Sequence, residues 1–249
     1  MTESPMTHKG ACIVIGAGDA TGAAVARAFA REGYAACLVR RPRHLDALEQ
    51  LAGEIRSAGG SAHAYGVDAR EEDEIIALFD RIEREVGSIE IVVFNIGANV
   101  RFGIEETTAR VERKVWEMAA FAGFLVGREA ARRMTSRERG TIIFTGATAS
   151  VRGSAGFSAF ASAKHALRAL AQSMARELGP KNIHVAHVVI DGAIDSPFIR
   201  ETLTNADELK KDDALLDPAA IADAYIFLHR QHRSAWTHEM DMRPWREKW

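Results

Sequence analysis

Several things are scarce in this 249-residue chain. It has two cysteines, six prolines, no surplus of either charge and no apolar run near the 18 or more residues of a membrane span. Cys12 and Cys37 lie in separate apolar runs without the spacing of a metal or redox motif, so both are expected to be reduced core residues. With 32 Lys and Arg against 34 Asp and Glu, the net charge of -2 supplies no basic face for a phosphate backbone, and no nucleic-acid partner is expected. The opening MTESPMTHKG has neither an apolar h-region nor a cleavage pattern, which points to a cytoplasmic protein without a membrane partner; residues 1–10 are expected to be flexible. His184 and His187 stand three apart on a predicted strand and point to opposite faces, so no metal site is expected there. There is no internal repeat, low-complexity segment or long linker, and residues 1–249 are read as one domain.

What the chain does have is alternation. Short β-branched runs at 11–15, 35–39, 62–67, 89–94, 141–145, 183–190 and 239–242 alternate with helical periodicity at 23–32, 44–57, 71–86, 111–134, 157–178 and 218–229. Several runs are apolar on both faces, as buried parallel strands must be. The pattern predicts an α/β fold: a Rossmann-type doubly wound parallel sheet of about seven strands, in three layers, as a single domain. Residues 191–217 are the least regular stretch and read either as a substrate-loop lid or as a surface excursion. The tail 243–249, RPWREKW, carries two Trp among charges and is expected to pack against a neighbouring subunit.

After the first strand, IGAGDATGAAVA places Gly16, Gly18, Thr21 and Gly22 between a strand and an alanine-rich helix, where a phosphate-binding loop belongs. The third glycine stands at 22 and not at the 21 of the G-x-G-x-x-G spacing, so the text alone also fits a tight ligand-free turn. At the end of the second strand, LVRRPRHL puts Arg40, Arg41 and Arg43 where NAD-preferring folds carry an acid. Guanidinium groups there suit a 2′-phosphate and favour NADP(H) over NAD(H). Asp19 would repel phosphates unless it caps the following helix.

The glycine loop, FNIG at 94–97 and ASAK at 161–164 together resemble the short-chain dehydrogenase/reductase family over almost the whole length. The resemblance implies that Asp68, in VDAR, holds the adenine, that Asn95 and Gly97 border the cofactor, and that Asp191 and Gly192 lie over the nicotinamide where the family has Pro-Gly. It also implies a homodimer or homotetramer through helices 111–134 and 157–178. Of the family's catalytic Tyr, Lys, Ser and Asn, only Lys164 is present; Phe160, Ala147 and Ala119 stand at the other three positions. Phenylalanine has no proton to give, and alanine can neither hydrogen-bond a substrate oxygen nor hold a relay water. Thr145, Thr148, Ser150, Arg152, Ser158, Ser162 and Asp191 are candidate substitutes, or simply turn and cap residues.

Three readings follow. One is an NAD(P)-dependent oxidoreductase with an altered proton relay. Another is a dinucleotide-binding protein without redox turnover, in a regulatory or structural role. The third is a non-redox lyase or isomerase using Lys164 or Asp191 in the same cleft. The small-molecule substrate is not written in the sequence.

Overall fold

The computed structural model describes residues 8–247. Seven strands, β1 (Ala11–Ile15), β2 (Ala35–Arg40), β3 (Ser61–Gly66), β4 (Ile89–Phe94), β5 (Gly140–Thr145), β6 (Ile183–Ile190) and β7 (Glu239–Met242), pair in parallel in the order β3-β2-β1-β4-β5-β6-β7. Strand order reverses between β1 and β4, so a crevice opens at the carboxyl ends of these two strands.

The apolar residues of each strand alternate between two separate cores. Cys12 and Val14 of β1 join the core under α1 (Thr21–Arg31), α2 (Leu45–Ser57) and α9 (Pro218–Arg230). Ala11, Ile13 and Ile15 join the one under α3 (Glu72–Glu85), α5 (Ala122–Thr135) and α6 (Ser158–Leu178). Because both faces are covered, the IVVF of β4 is apolar at every position, and the strand's one charged residue, Glu90 near its start, is paired with Arg139 at 2.7 Å. Cys12 and Cys37 are free and buried, and burial pushes both thiols well up.

Two expectations change in detail. The helix expected at 111–134 is α4 (Ala109–Trp116), a π turn at Glu117–Phe121, and then α5. One widened turn re-phases the helix so that α5 can present Leu125 and Val126 to the core. The stretch 191–217 is not simply irregular: it carries two short helices, α7 (Pro197–Thr202) and α8 (Ala206–Lys211), and is closed at its base by a parallel bridge between Ile194 and Leu216. Residues 1–7 of the opening segment and 248–249 of the tail lie outside the described residues, while Lys9 is already tied to Gly33 by a backbone hydrogen bond of 2.8 Å. The described part of the tail lies over its own chain: Trp245 Nε1 donates to the Asp212 carbonyl at 2.9 Å, and its ring is 71% exposed.

Candidate active-site cleft

The glycines of the loop after β1 divide into two kinds. Gly16 has φ +89° and a Cβ there would stand 2.8 Å from the Asn95 carbonyl; a Cβ at Gly22 would stand 2.4 Å from the Gly16 carbonyl. Both are glycines because the loop is folded tightly upon itself. Gly18 and Gly97 are different. A side chain at Gly18 would meet nothing closer than the Arg40 guanidinium carbon at 3.9 Å, and one at Gly97 nothing within 4 Å. Neither has a conformation that needs glycine, so their bareness serves a surface left open to something outside the chain. Asn95 holds the loop in place, its Nδ2 donating to the Gly16 carbonyl at 3.0 Å.

The first turn of α1 faces this opening. Its N-cap is Ala20, which offers no side-chain acceptor; the Ala23 amide donates to the Gly18 carbonyl at 2.8 Å, and no side chain caps the amides of Thr21 and Gly22. The Thr21 hydroxyl is buried and has no hydrogen-bond partner. Asp19 does not cap the helix, contrary to the one role that would have reconciled it with phosphates. Its carboxylate instead takes Arg40 Nη1 at 3.1 Å, because the turn swings residue 19 toward the end of β2.

Two contiguous cavities follow. A side cavity of roughly 210 Å³ is bordered by Arg40, Arg41, His44, Asp68, Arg70 and Met118. There Asp68 accepts from Arg70 Nε at 2.9 Å and Nη2 at 2.5 Å, which holds its carboxyl below the usual range. The main cavity, roughly 730 Å³, begins at Gly16, Gly18, Thr21 and Gly22 and runs past Asn95 and Gly97 to Ala147, Phe160, Lys164 and Gly192.

Lys164 is the chemical centre of this cavity. It stands on α6 with 2% of its surface exposed, and its Nζ donates to the carbonyls of Thr145 (2.8 Å) and Ile96 (2.9 Å), at the ends of β5 and β4. Burial lowers its pKa from 10.5 to about 7, so the amine can change protonation state at physiological pH. Phe160, one turn earlier, has its ring centroid 5.9 Å from Nζ. Ala147 also lines the cavity, but Ala119 does not. It is fully buried among Val115, Ala159 and Ala163, inside the π turn.

Asp191 also sits differently from the expectation. It is 2% exposed but does not line the cavity. Its carboxylate accepts from Thr148 Oγ1 (2.6 Å) and Arg152 Nη2 (3.3 Å) and faces Arg243 Nη1 at 3.4 Å. These partners hold the carboxylate outside the cavity lining. Gly192 beside it has φ +147°, and a Cβ there would strike Pro244 of the tail at 2.7 Å.

Among the candidate substitute donors, Thr145, Thr148 and Arg152 line the cavity. The Thr145 hydroxyl is engaged by the Tyr225 hydroxyl at 2.8 Å, Ser150 Oγ accepts from the Ala147 amide at 3.0 Å, and Ser162 donates to Glu112 at 2.7 Å. Ser158 lies outside the cavity lining. The two histidines of β6 meet different neighbours: His184 stacks on Trp236 at 5.0 Å, whereas His187 Nδ1 pairs with Glu239 at 2.9 Å. Sequence reasoning missed the apolar wall that Ile194, Phe198 and Ile199 add to the cavity. The one available signal was PFI in an otherwise charged stretch.

Comparison with known proteins agrees with this geometry. A family model described as short chain dehydrogenase matches residues 10–207. The crystal structure of a short-chain dehydrogenase from Rhodopseudomonas palustris is 49% identical, covers 96% of this chain and 100% of its own, and superimposes with a TM-score of 0.82. A 3-oxoacyl-[acyl-carrier-protein] reductase from Bos taurus is 28% identical over 225 residues, spanning 87% of this chain and 90% of that protein. The structure of a 7α-hydroxysteroid dehydrogenase complexed with NADH and 7-oxo glycochenodeoxycholic acid is 25% identical, covers 96% and 94% of the two chains, and has a TM-score of 0.85.

Proposed function

Because this chain belongs to the short-chain dehydrogenase family, we propose that it is an NAD(P)-dependent oxidoreductase whose proton is handled by Lys164 in place of a tyrosine. The observation that carries this reading is the open cradle at Gly18, Gly97 and the unpartnered Thr21 hydroxyl, joined in one cavity to the buried amine of Lys164. The cradle has the chemistry of a pyrophosphate site: bare backbone, helix-end amides that no side chain caps and a hydroxyl without a partner. Gly16, Gly22 and Asn95 hold the loop's shape. Asp68, Arg41 and Gly97 border the side cavity, which suits the adenosine end.

A nicotinamide bound in the cleft supplies or accepts the hydride. The residues of this chain must then exclude water and move a proton. Phe160 and Ala147 present only carbon to the substrate oxygen, and Ala119 cannot hold a relay water, so the proton has to travel through another group. Lys164 titrates near neutrality, which is the range a general acid or base needs, and its ammonium form can donate to a developing alkoxide. Gly192 borders this end of the cleft directly, and Asp191 acts at one remove, through the loop that roofs it.

NADP(H) is favoured over NAD(H). Among the described residues Arg40 is held only by Asp19, whose side chain is 68% exposed, and an ion pair of that kind is worth less than about 1 kcal/mol. A dianionic 2′-phosphate can therefore replace it, with Arg41 alongside. Titration calorimetry with NADPH and NADH tests the reading: tighter NADPH supports it, and no binding of either nucleotide overturns it.

A second reading, nucleotide binding without turnover, is favoured by the carbon surface of Phe160 and Ala147. Failure of the protein to oxidise NADPH with any of a broad panel of aldehydes, ketones and steroids, despite tight NADPH binding, would select it. We assign subunit association to the α4–α5 face, where Trp116, Phe121 and Phe124 stack at 5.7 and 6.3 Å with Trp116 and Phe124 exposed. Light scattering should show a dimer or tetramer, and Phe124→Glu should weaken it.

A further inference from the structure

Four charged side chains line the main cavity. Asp19 and Arg40 pair with each other, and Lys164 is engaged by two carbonyls. That leaves Arg152, in the loop that also brings Ser154 and Phe157 to the outer end, where Phe157, Phe160, Ile194, Phe198 and Ile199 make an apolar wall.

Arg152 is under-used where it stands. Among the described residues its guanidinium makes one hydrogen bond, a long one of 3.3 Å to Asp191, and its side chain is 40% exposed. Asp191 does not depend on it, since Thr148 donates at 2.6 Å and Arg243 lies at 3.4 Å; Arg243 in turn pairs with Asp241. A guanidinium carries five donors in a fork that matches a carboxylate. Beside Asp191 the chain brings a second carboxylate toward that fork: Glu247 of the tail places Oε1 4.0 Å from Arg152 Nη2, too far for a hydrogen bond. Arg101, exposed and with its guanidinium 5.8 Å from the Phe157 ring centroid, adds a second cation at the outer edge.

We propose that the outer end of the cleft binds an apolar molecule bearing a carboxylate, which Arg152 holds in the position that Glu247 of the tail approaches. The inference rests on the oxidoreductase reading only in calling that molecule the substrate; the binding site stands on its own contacts. Exchange of Glu247 for a ligand carboxylate leaves the charge around Asp191 and Asp241 unchanged, while it brings the anion within hydrogen-bond reach. The apolar wall then covers the carbon body, and the uncharged lining at that end explains why a second polar group on the ligand is not needed.

Octanoate and its uncharged counterpart octanamide are the probes, titrated calorimetrically into the full-length protein and its Arg152→Gln and Glu247→Gln variants, with NADPH affinity measured in parallel. The wild type should bind octanoate about tenfold or more tighter than octanamide, the strength of a charge-assisted contact. Arg152→Gln should erase that preference, Glu247→Gln should enhance it by removing the internal competitor, and NADPH affinity should stay constant in both. Equal binding of the two probes, or a preference that survives Arg152→Gln, overturns the proposal. A carboxylate preference in a protein that binds no NADPH would sink the oxidoreductase reading and leave this one intact; tight NADPH with no carboxylate preference would do the reverse.

Discussion

Replacing Lys164 by methionine tests the electrostatics on which the proposed chemistry depends. The ammonium is fully buried, and its pKa is lowered from 10.5 to about 7 by desolvation alone. Folding therefore penalises the charged form by about 5 kcal/mol, the equivalent of three to four pK units. Below pH 7 the lysine is charged in both the folded and unfolded chain, and the whole penalty weighs on stability. Between pH 7 and 10.5 the unfolded chain keeps the proton that the folded one has released, so this group makes stability rise with pH; above 10.5 it adds no further change. Methionine has no such dependence. It does leave the carbonyls of Ile96 and Thr145 without their donor, at about 1 to 3 kcal/mol each, but that loss is the same at every pH and drops out of the comparison. Denaturant unfolding of both proteins at pH 6 and pH 10 should show wild type gaining on Lys164→Met by about 4 kcal/mol across the interval. A gap that stays flat would mean that the amine keeps an ordinary pKa in the fold, and Lys164 would then be no candidate for proton transfer near neutrality.

Gly18→Val should leave thermal stability nearly unchanged, because the position opens on empty space, yet abolish nucleotide binding in calorimetry; Gly22→Ala, whose Cβ would stand 2.4 Å from the Gly16 carbonyl, should instead lower stability by about 1 to 3 kcal/mol. Arg40→Ala combined with Arg41→Ala should cut NADPH affinity about tenfold or more while leaving NADH within about twofold, and an unchanged ratio of the two dissociation constants would remove the NADP(H) preference. Phe160→Tyr together with Ala147→Ser, both of which line the cavity, should raise carbonyl reductase activity above that of Phe160→Tyr alone, since parts of a relay act together; a double variant that folds and binds NADPH yet reduces nothing would mean the cleft serves other work. His187, whose burial lowers its pKa from 6.5 to about 4, should make stability climb between pH 4 and 6.5, because only the unfolded chain holds that proton there, and His187→Gln should flatten this climb in acid titrations followed by circular dichroism.

The strands and most helices were legible from residue order because their cause is local. A strand covered on both faces is largely apolar, which marks IVVF and, around its two histidines, HVAHVVI before any partner is known, and strand ends came within a residue of their observed places. The glycine loop was legible for the same reason: a glycine cluster between a buried strand and an alanine-rich helix marks a tight strand-to-helix turn. The departures arose where a side chain answers to neighbours distant in sequence. Asp19 could be read as a helix cap until the end of β2 brought Arg40 to it. Asp191 occupies the position that the family resemblance gives it, but Thr148, Arg152 and Arg243, from a loop and the tail, decide that its carboxylate turns from the cleft. Ala119, which the family resemblance sets at the position of an Asn, lies outside the cavity lining, among Val115, Ala159 and Ala163.

Residue order by itself determined the α/β alternation, the place of the glycine loop, the arginines after β2 and the presence of Lys164 without a tyrosine, since each is a property of residues adjacent in the chain. Tertiary structure alone decided that Gly18 and Gly97 face open space while Gly16 and Gly22 do not, and that Lys164 loses its water and titrates near pH 7. It also decided that Arg152 meets an apolar wall with a carboxylate of the tail just out of reach. The physical reason is common to all of these: desolvation, clash and charge pairing act through space over a few ångströms, and in a parallel sheet residues that close are tens to hundreds of positions apart along the chain.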